Sequence, residues 1–225
     1  MGVNIIGGVA FILIIVALYA AFLYAPTEAF QGNVQRIFYF HLPSALMAFL
    51  AFSVVCVSSI FYLWRKERKW DIVAAASAEL GVLFCSLVLI TGPIWAKPIW
   101  GVWWTWDARL TTTLILWLIY VAYLMLRAYG GDYSQSTRFA AVLGIIGFLD
   151  VPLIHMSVNW WRTLHPEAVF FNRKGIGIGL EPSMKMTLYL SLTAFTLLYI
   201  FLLAKRISLE VAKDELEQLK DAMGG

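Results

Sequence analysis

The chain has 225 residues, of which 61% are hydrophobic and only 14% charged, with a mean hydropathy of +0.76. A soluble domain is about 45–50% apolar and about 25% charged, so this chain is too oily for water and too poor in charge for disorder. Its net charge of +3 is too small to point to nucleic acid as a partner.

A helix that crosses a bilayer needs about 20 consecutive, mostly apolar residues. Val3–Ala25 is the first such run; it lacks the basic n-region of a signal peptide and reads as an uncleaved span. Leu42–Trp64 is the second, entered through Arg36-Ile-Phe-Tyr-Phe-His-Leu-Pro43, where Pro43 suits the first helical turn and His41 stands at the mouth. Ile72–Ile94 holds one acid, Glu79, which either pairs across helices or is protonated. Pro93 and Pro98 are expected to break this third helix. Beyond them, Trp100, Trp103, Trp104 and Asp107 have helical spacing and share one face, with Trp106 pointing elsewhere. Asp107 is expected to cap the fourth span, Leu110–Leu126, or to pair with Arg109. Phe139–Val158 carries Asp150 and is kinked at Pro152. Met186–Ala204 is the last run, followed at once by Lys205 and Arg206.

Six runs and no ten-residue alternation predict an all-α polytopic membrane protein, not a β-barrel. Residues 1–205 form the membrane domain and 206–225 a short tail. Leu209, Ala212, Leu216, Leu219 and Met223 give that tail a heptad pattern, read as a solvated amphipathic end.

Orientation follows the basic residues. Arg65, Lys66, Arg68, Lys69, Arg127, Arg138, Lys205, Arg206, Lys213 and Lys220 fall on one side. The other side holds Arg36, Lys97, Arg109, Arg162, Arg173, Lys174 and Lys185. The tight clusters at 65–69 and 205–206 put both termini in the cytoplasm. Cys56 and Cys85 lie inside spans, without a C-x-x-C pair, and read as packing residues.

The chemistry gathers on the outer side. Of ten tryptophans, seven fall there: Trp95, Trp100, Trp103, Trp104, Trp106, Trp160 and Trp161. An aromatic belt needs no such density, whereas a contiguous indole surface suits a large planar ligand. All three histidines, His41, His155 and His165, are on the same side. Ionisable groups at a membrane edge are costly and functional by default. One imidazole from each of two helix ends, His41 and His155, facing a tryptophan floor, is the set that six-coordinate haem iron needs. Haem also carries two carboxylates, for which Arg36, Arg109, Lys97 and Arg162 are candidate partners. His165, before Pro166, reads as a loop residue on the carboxylate side.

The string Trp100-Gly-Val-Trp-Trp-Thr-Trp-Asp-Ala-Arg-Leu-Thr111 resembles the WWD signature of the haem-handling proteins of cytochrome c biogenesis. Phe-His-Leu-Pro around His41 and Ile-His-Met-Ser-Val-Asn-Trp-Trp around His155 resemble its CcmC branch, over nearly the whole chain. The resemblance implies a protein of the bacterial inner membrane that takes haem b transiently at the outer face. It implies hand-over to the chaperone CcmE, beside an ABC transporter of CcmA and CcmB and a small subunit, CcmD. His41 and His155 would be the axial ligands, and Trp100, Trp103, Trp104, Trp106 and Asp107 the WWD platform, with Trp160 and Trp161 nearby. Such a protein delivers haem and is not an enzyme. Three rival classes stay open on the residues: a cytochrome b-type oxidoreductase, which normally needs four histidines within spans; a lipid-linked glycosyl transferase or polymerase using Asp107, Asp150 and Glu167; and a secondary transporter using Glu79 and Asp150, for which no inverted repeat is evident.

Overall fold

The computed structural model describes residues 2–161 and 180–223. Helix α1 (Gly2–Tyr19) ends in a π-turn, Ala20–Tyr24. A 3-10 turn, Asn33–Ile37, leads directly into α2 (Phe38–Arg65), and α3 (Arg68–Trp100) returns beside it. Then follow α4 (Ala108–Tyr129), α5 (Tyr133–Phe148), α6 (Asp150–Trp160) and α7 (Pro182–Ala222). Gly2–Tyr24, Asn33–Arg65, Arg68–Trp100, Ala108–Tyr129, Tyr133–Val158 and Pro182–Leu216 are each long and apolar enough to cross a membrane, which bears out the six spans. The protein is a multi-pass membrane protein.

In lipid, close approach of backbones through small residues is what holds helices together. The buried face of α3 is built that way, from Ala74, Ala75, Ala76, Ser77, Ala78 and Gly81. A Cβ on Gly81 would stand 2.3 Å from the ring of Phe52, so only glycine lets α2 come this near. Phe52 in turn stacks on Tyr120 of α4 at 3.8 Å between centroids. Ser77 Oγ donates to Ala51 O at 2.8 Å and pairs with the Tyr199 hydroxyl at 2.9 Å, tying α2, α3 and α7 in one layer.

Several boundaries differ from the sequence reading. Helix α2 starts before His41, so that residue lies in its first full turn, with buried Pro43 two residues further in. The start is earlier because Arg36 donates to Ala21 O and to Ala25 O, which anchors the polar segment before the apolar run to the end of α1. Pro93 and Pro98 do not break α3, which continues to Trp100. Each proline removes one backbone bond, but Ala96 is buried and Trp95 packs on Phe38 at 6.1 Å, so tertiary contacts hold the turn in place. What stops α3 is Gly101, at φ +76°, whose N–H donates to Lys97 O at 3.0 Å. Lys97 Nζ closes the same cap on Gly101 O at 2.8 Å.

The helix is interrupted near Pro152, where the sequence leads one to expect a kink. The chain breaks at Leu149 between α5 and α6, where proline leaves the Phe148 carbonyl without its i+4 donor. The tail is no separate element: α7 runs unbroken for 41 residues. Glu79 accepts both Nε and Nη2 of Arg206, the latter at 2.6 Å, which answers how an acid sits in the third span. Arg68 grips Asp214 with Nε and Nη2, both at 2.7 Å, so the tail is fastened to the start of α3 and is not merely solvated. Asp71, 2% exposed, accepts from Arg68 at 2.8 Å, from Arg127 Nη2 at 3.0 Å and from the Tyr133 hydroxyl at 2.6 Å. One end of the bundle is thus an ion-paired clasp of α3, α4, α5 and α7.

Candidate functional site

The opposite end carries the start of α2, the end of α3, residues 101–107, the start of α4 and the end of α6. His41, half-buried on α2, leans against one turn of α3. Its Nδ1 is 2.8 Å from Thr91 Oγ1, and its ring meets Trp95 edge-on at 5.7 Å and 74°. Between those two contacts the backbone of α3 passes close enough that a Cβ on Gly92 would stand 3.5 Å from His41 Cε1. Trp95 is itself held by donation from Nε1 to Gln31 Oε1 at 2.9 Å. Thr91, Gly92 and Trp95 were not singled out as site residues by the sequence. The marks they leave are Trp95, counted among the outer tryptophans, and Thr91, a polar residue at the end of an apolar run.

His155 is half-buried near the end of α6, which packs on α4. The guanidinium of Arg109, at the start of α4, lies within electrostatic reach of that imidazole. The two histidines therefore arrive on different helices, one backed by α3 and the other beside a cation.

The tryptophan segment departs from its expected form. Residues 101–107 lie outside regular helix because Gly101 has already ended α3, so Trp100, Trp103, Trp104 and Asp107 do not share a helical face. Trp106 does not point away from the others. It meets Trp104 edge-on at 5.7 Å and 77°. Trp104 is half-buried, with Nε1 shielded from solvent and without a hydrogen-bond partner, while Trp103 and Trp106 are 58% and 76% exposed. Trp160 and Trp161 form a second edge-on pair at 5.8 Å, also exposed. Asp107 caps α4, as expected: Oδ1 accepts from Leu110 N–H at 3.0 Å, and Oδ2 accepts from the Thr105 hydroxyl at 3.1 Å.

Arg36 is engaged by the backbone of α1, by Thr27 Oγ1 at 3.4 Å and by Asn33 Oδ1 at 3.5 Å. It also borders a cavity of about 260 Å³ with Phe22, Val34 and Phe40. Arg162 and His165 lie outside the described residues. Among the described residues, no group of three or more histidine, cysteine, aspartate or glutamate side chains is placed to hold a bare metal ion. The groups carried at this end of the bundle are imidazoles, indoles and a guanidinium.

A family profile described as heme exporter protein C matches residues 2–222. The chain belongs to this family. The heme exporter protein C of Bradyrhizobium diazoefficiens is 36% identical over 209 residues, 93% of this chain and 78% of that protein. That of Haemophilus influenzae is 34% identical over 215 residues, covering 96% and 81%. That of Escherichia coli K12 is 35% identical over 175 residues, covering 78% and 69%. The sequence resemblance to the CcmC branch is thereby borne out.

Proposed function

We propose that this chain handles haem for cytochrome c biogenesis, holding it between His41 and His155 and passing it to a chaperone. The observation that carries the reading is the placement of the two imidazoles. They stand on separate helices at one end of the bundle, alongside a tryptophan-bearing segment, in a chain of the heme exporter protein C family. His41 and His155 are the axial ligands to iron, and Trp100, Trp103, Trp104 and Trp106 supply aromatic surface, with Trp160 and Trp161 at its border. Arg109 is placed to meet a carboxylate of the porphyrin, and Asp107 holds the start of α4 beneath the segment. Arg36 contributes by fixing the head of α2, and hence His41.

The cargo is haem b, held transiently. The basic clusters at 65–69 and 205–206 support placing the ion-paired end in the cytoplasm of a bacterial inner membrane, and the histidine end outside. Residues 1–205 then carry the haem site, and 206–225 are the cytoplasmic tail, of which 206–222 continue α7. The partners of this reading are the chaperone CcmE, the transporter subunits CcmA and CcmB, the small subunit CcmD and the bilayer itself.

Colour tests it. Purified protein supplied with haem should show a Soret band, which each single variant, His41→Ala or His155→Ala, shifts to a weaker five-coordinate form and the double variant abolishes. An unchanged six-coordinate spectrum in His155→Ala would remove that residue from the site, and a colourless parent would return the question to the transferase reading.

A further inference from the structure

A histidine binds iron through a nitrogen that carries no proton, and which nitrogen that is depends on the hydrogen bond made by the other. For His41 the structure decides the matter through a second bond one step away. Thr91 Oγ1 lies 2.7 Å from Leu87 O, the carbonyl one turn back on α3. A carbonyl oxygen only accepts, and a threonine hydroxyl has one proton to give. That proton is therefore directed at Leu87, and toward His41 the same oxygen presents a lone pair. The contact of 2.8 Å at His41 Nδ1 then requires the proton to be on Nδ1. Nε2 is left as the basic nitrogen of the ring.

We infer that Thr91 is a positioning residue that sets the His41 tautomer, so that Nε2 is the nitrogen offered to iron. This rests on the haem reading for its purpose, though the tautomer itself does not. Three features of α3 act together: the Thr91 hydroxyl fixes the proton, the Trp95 edge fixes the ring plane, and Gly92 gives the ring space. Because the hydroxyl donates onward to Leu87, its oxygen is a better acceptor, and the bond from Nδ1–H is strengthened. A ring that donates strongly from Nδ1 is more electron-rich at Nε2, and a more electron-rich ligand favours iron(III) over iron(II).

Thr91→Val keeps the shape and removes the acceptor, whereas Thr91→Ser keeps the hydroxyl. Thr193, whose hydroxyl makes the same one-turn-back bond on α7, to Tyr189 O, provides the control as Thr193→Val. Titration of the purified, full-length variants with iron protoporphyrin IX should give a roughly tenfold weaker complex for Thr91→Val. Its midpoint potential should move positive, with Thr91→Ser and Thr193→Val close to the parent. Equal affinity and potential in Thr91→Val and parent would overturn the assignment.

A second measurement does not depend on that variant folding, or on haem. Nitrogen NMR of isotope-labelled histidine in the haem-free parent, above neutral pH, should show Nδ1 protonated for the signals that vanish in His41→Gln. Protonation at Nε2 instead would refute the tautomer outright. If the tautomer holds but His41→Gln leaves the haem spectrum unaltered, it is the haem reading that fails at His41, and with it the purpose given to Thr91.

Discussion

An indole that is 58% exposed, as at Trp103, adds little to the packing of the bundle, whereas the indole of Trp117 donates to Ser86 Oγ at 2.8 Å between α4 and α3. The same substitution should therefore separate binding from stability. Trp103→Ala should weaken the haem complex by on the order of 1–2 kcal/mol, about 5- to 30-fold in Kd, while the melting temperature in detergent hardly moves. Trp117→Ala should do the reverse, lowering stability by on the order of 2 kcal/mol with haem affinity retained in the folded fraction. Equal haem affinity in Trp103→Ala and the parent would reduce the segment to an interfacial belt. Residue types were legible in the sequence at this scale, but residue geometry was not. His41 and His155 stood out as costly groups at helix ends, whereas Thr91 acquires its role only from how α2 is rotated on α3. Glu79 could not be resolved from sequence because Arg206 is 127 residues away along the chain.

Run length made the helices legible, since about 30 Å of hydrocarbon imposes one length on every span. Their ends were less so, because they are set by side-chain contacts. Proline is a stop signal where nothing compensates for the lost backbone bond, and in α3 the anchored Trp95 overrides it. A helix of 33 residues is about 50 Å long, roughly 20 Å more than the hydrocarbon. At Pro152 the stop signal has its effect, and the break at Leu149 sets the direction of α6 and so the place of His155. Pro152→Ala restores the donor to Phe148 and joins α5 to α6. The straightened helix turns His155 away from its present position. Haem affinity should then fall by about tenfold, as for a misdirected ligand, while thermal stability holds or rises. A variant that binds haem as the parent does would show that the kink serves packing alone.

At the scale of the whole molecule the two ends differ in kind. One is closed around buried Asp71, which pairs with Arg127 of α4 and accepts from the Tyr133 hydroxyl of α5, while the part-exposed Arg68–Asp214 pair reaches α7; removing Arg127 from Asp71 costs about 3–5 kcal/mol. The other carries exposed indoles and two half-buried imidazoles. The separation follows from the even number of spans and was legible as soon as the runs were counted. A rigid base below an open, aromatic end suits a protein that lets its cargo go. In the proposed site, two histidines would close both axial positions of iron and leave none for a substrate. A partner that offers its own ligand can nevertheless compete for one of them, and the exposed Trp103, Trp106, Trp160 and Trp161 give it apolar surface to dock on. A stable complex with a haem chaperone should therefore form only when haem is present, and should survive solubilisation. Co-purification with and without haem supply measures this, with the His41→Ala plus His155→Ala variant as control. Tight chaperone association in that haem-free variant would mean that protein contacts, and not the shared iron, hold the pair together.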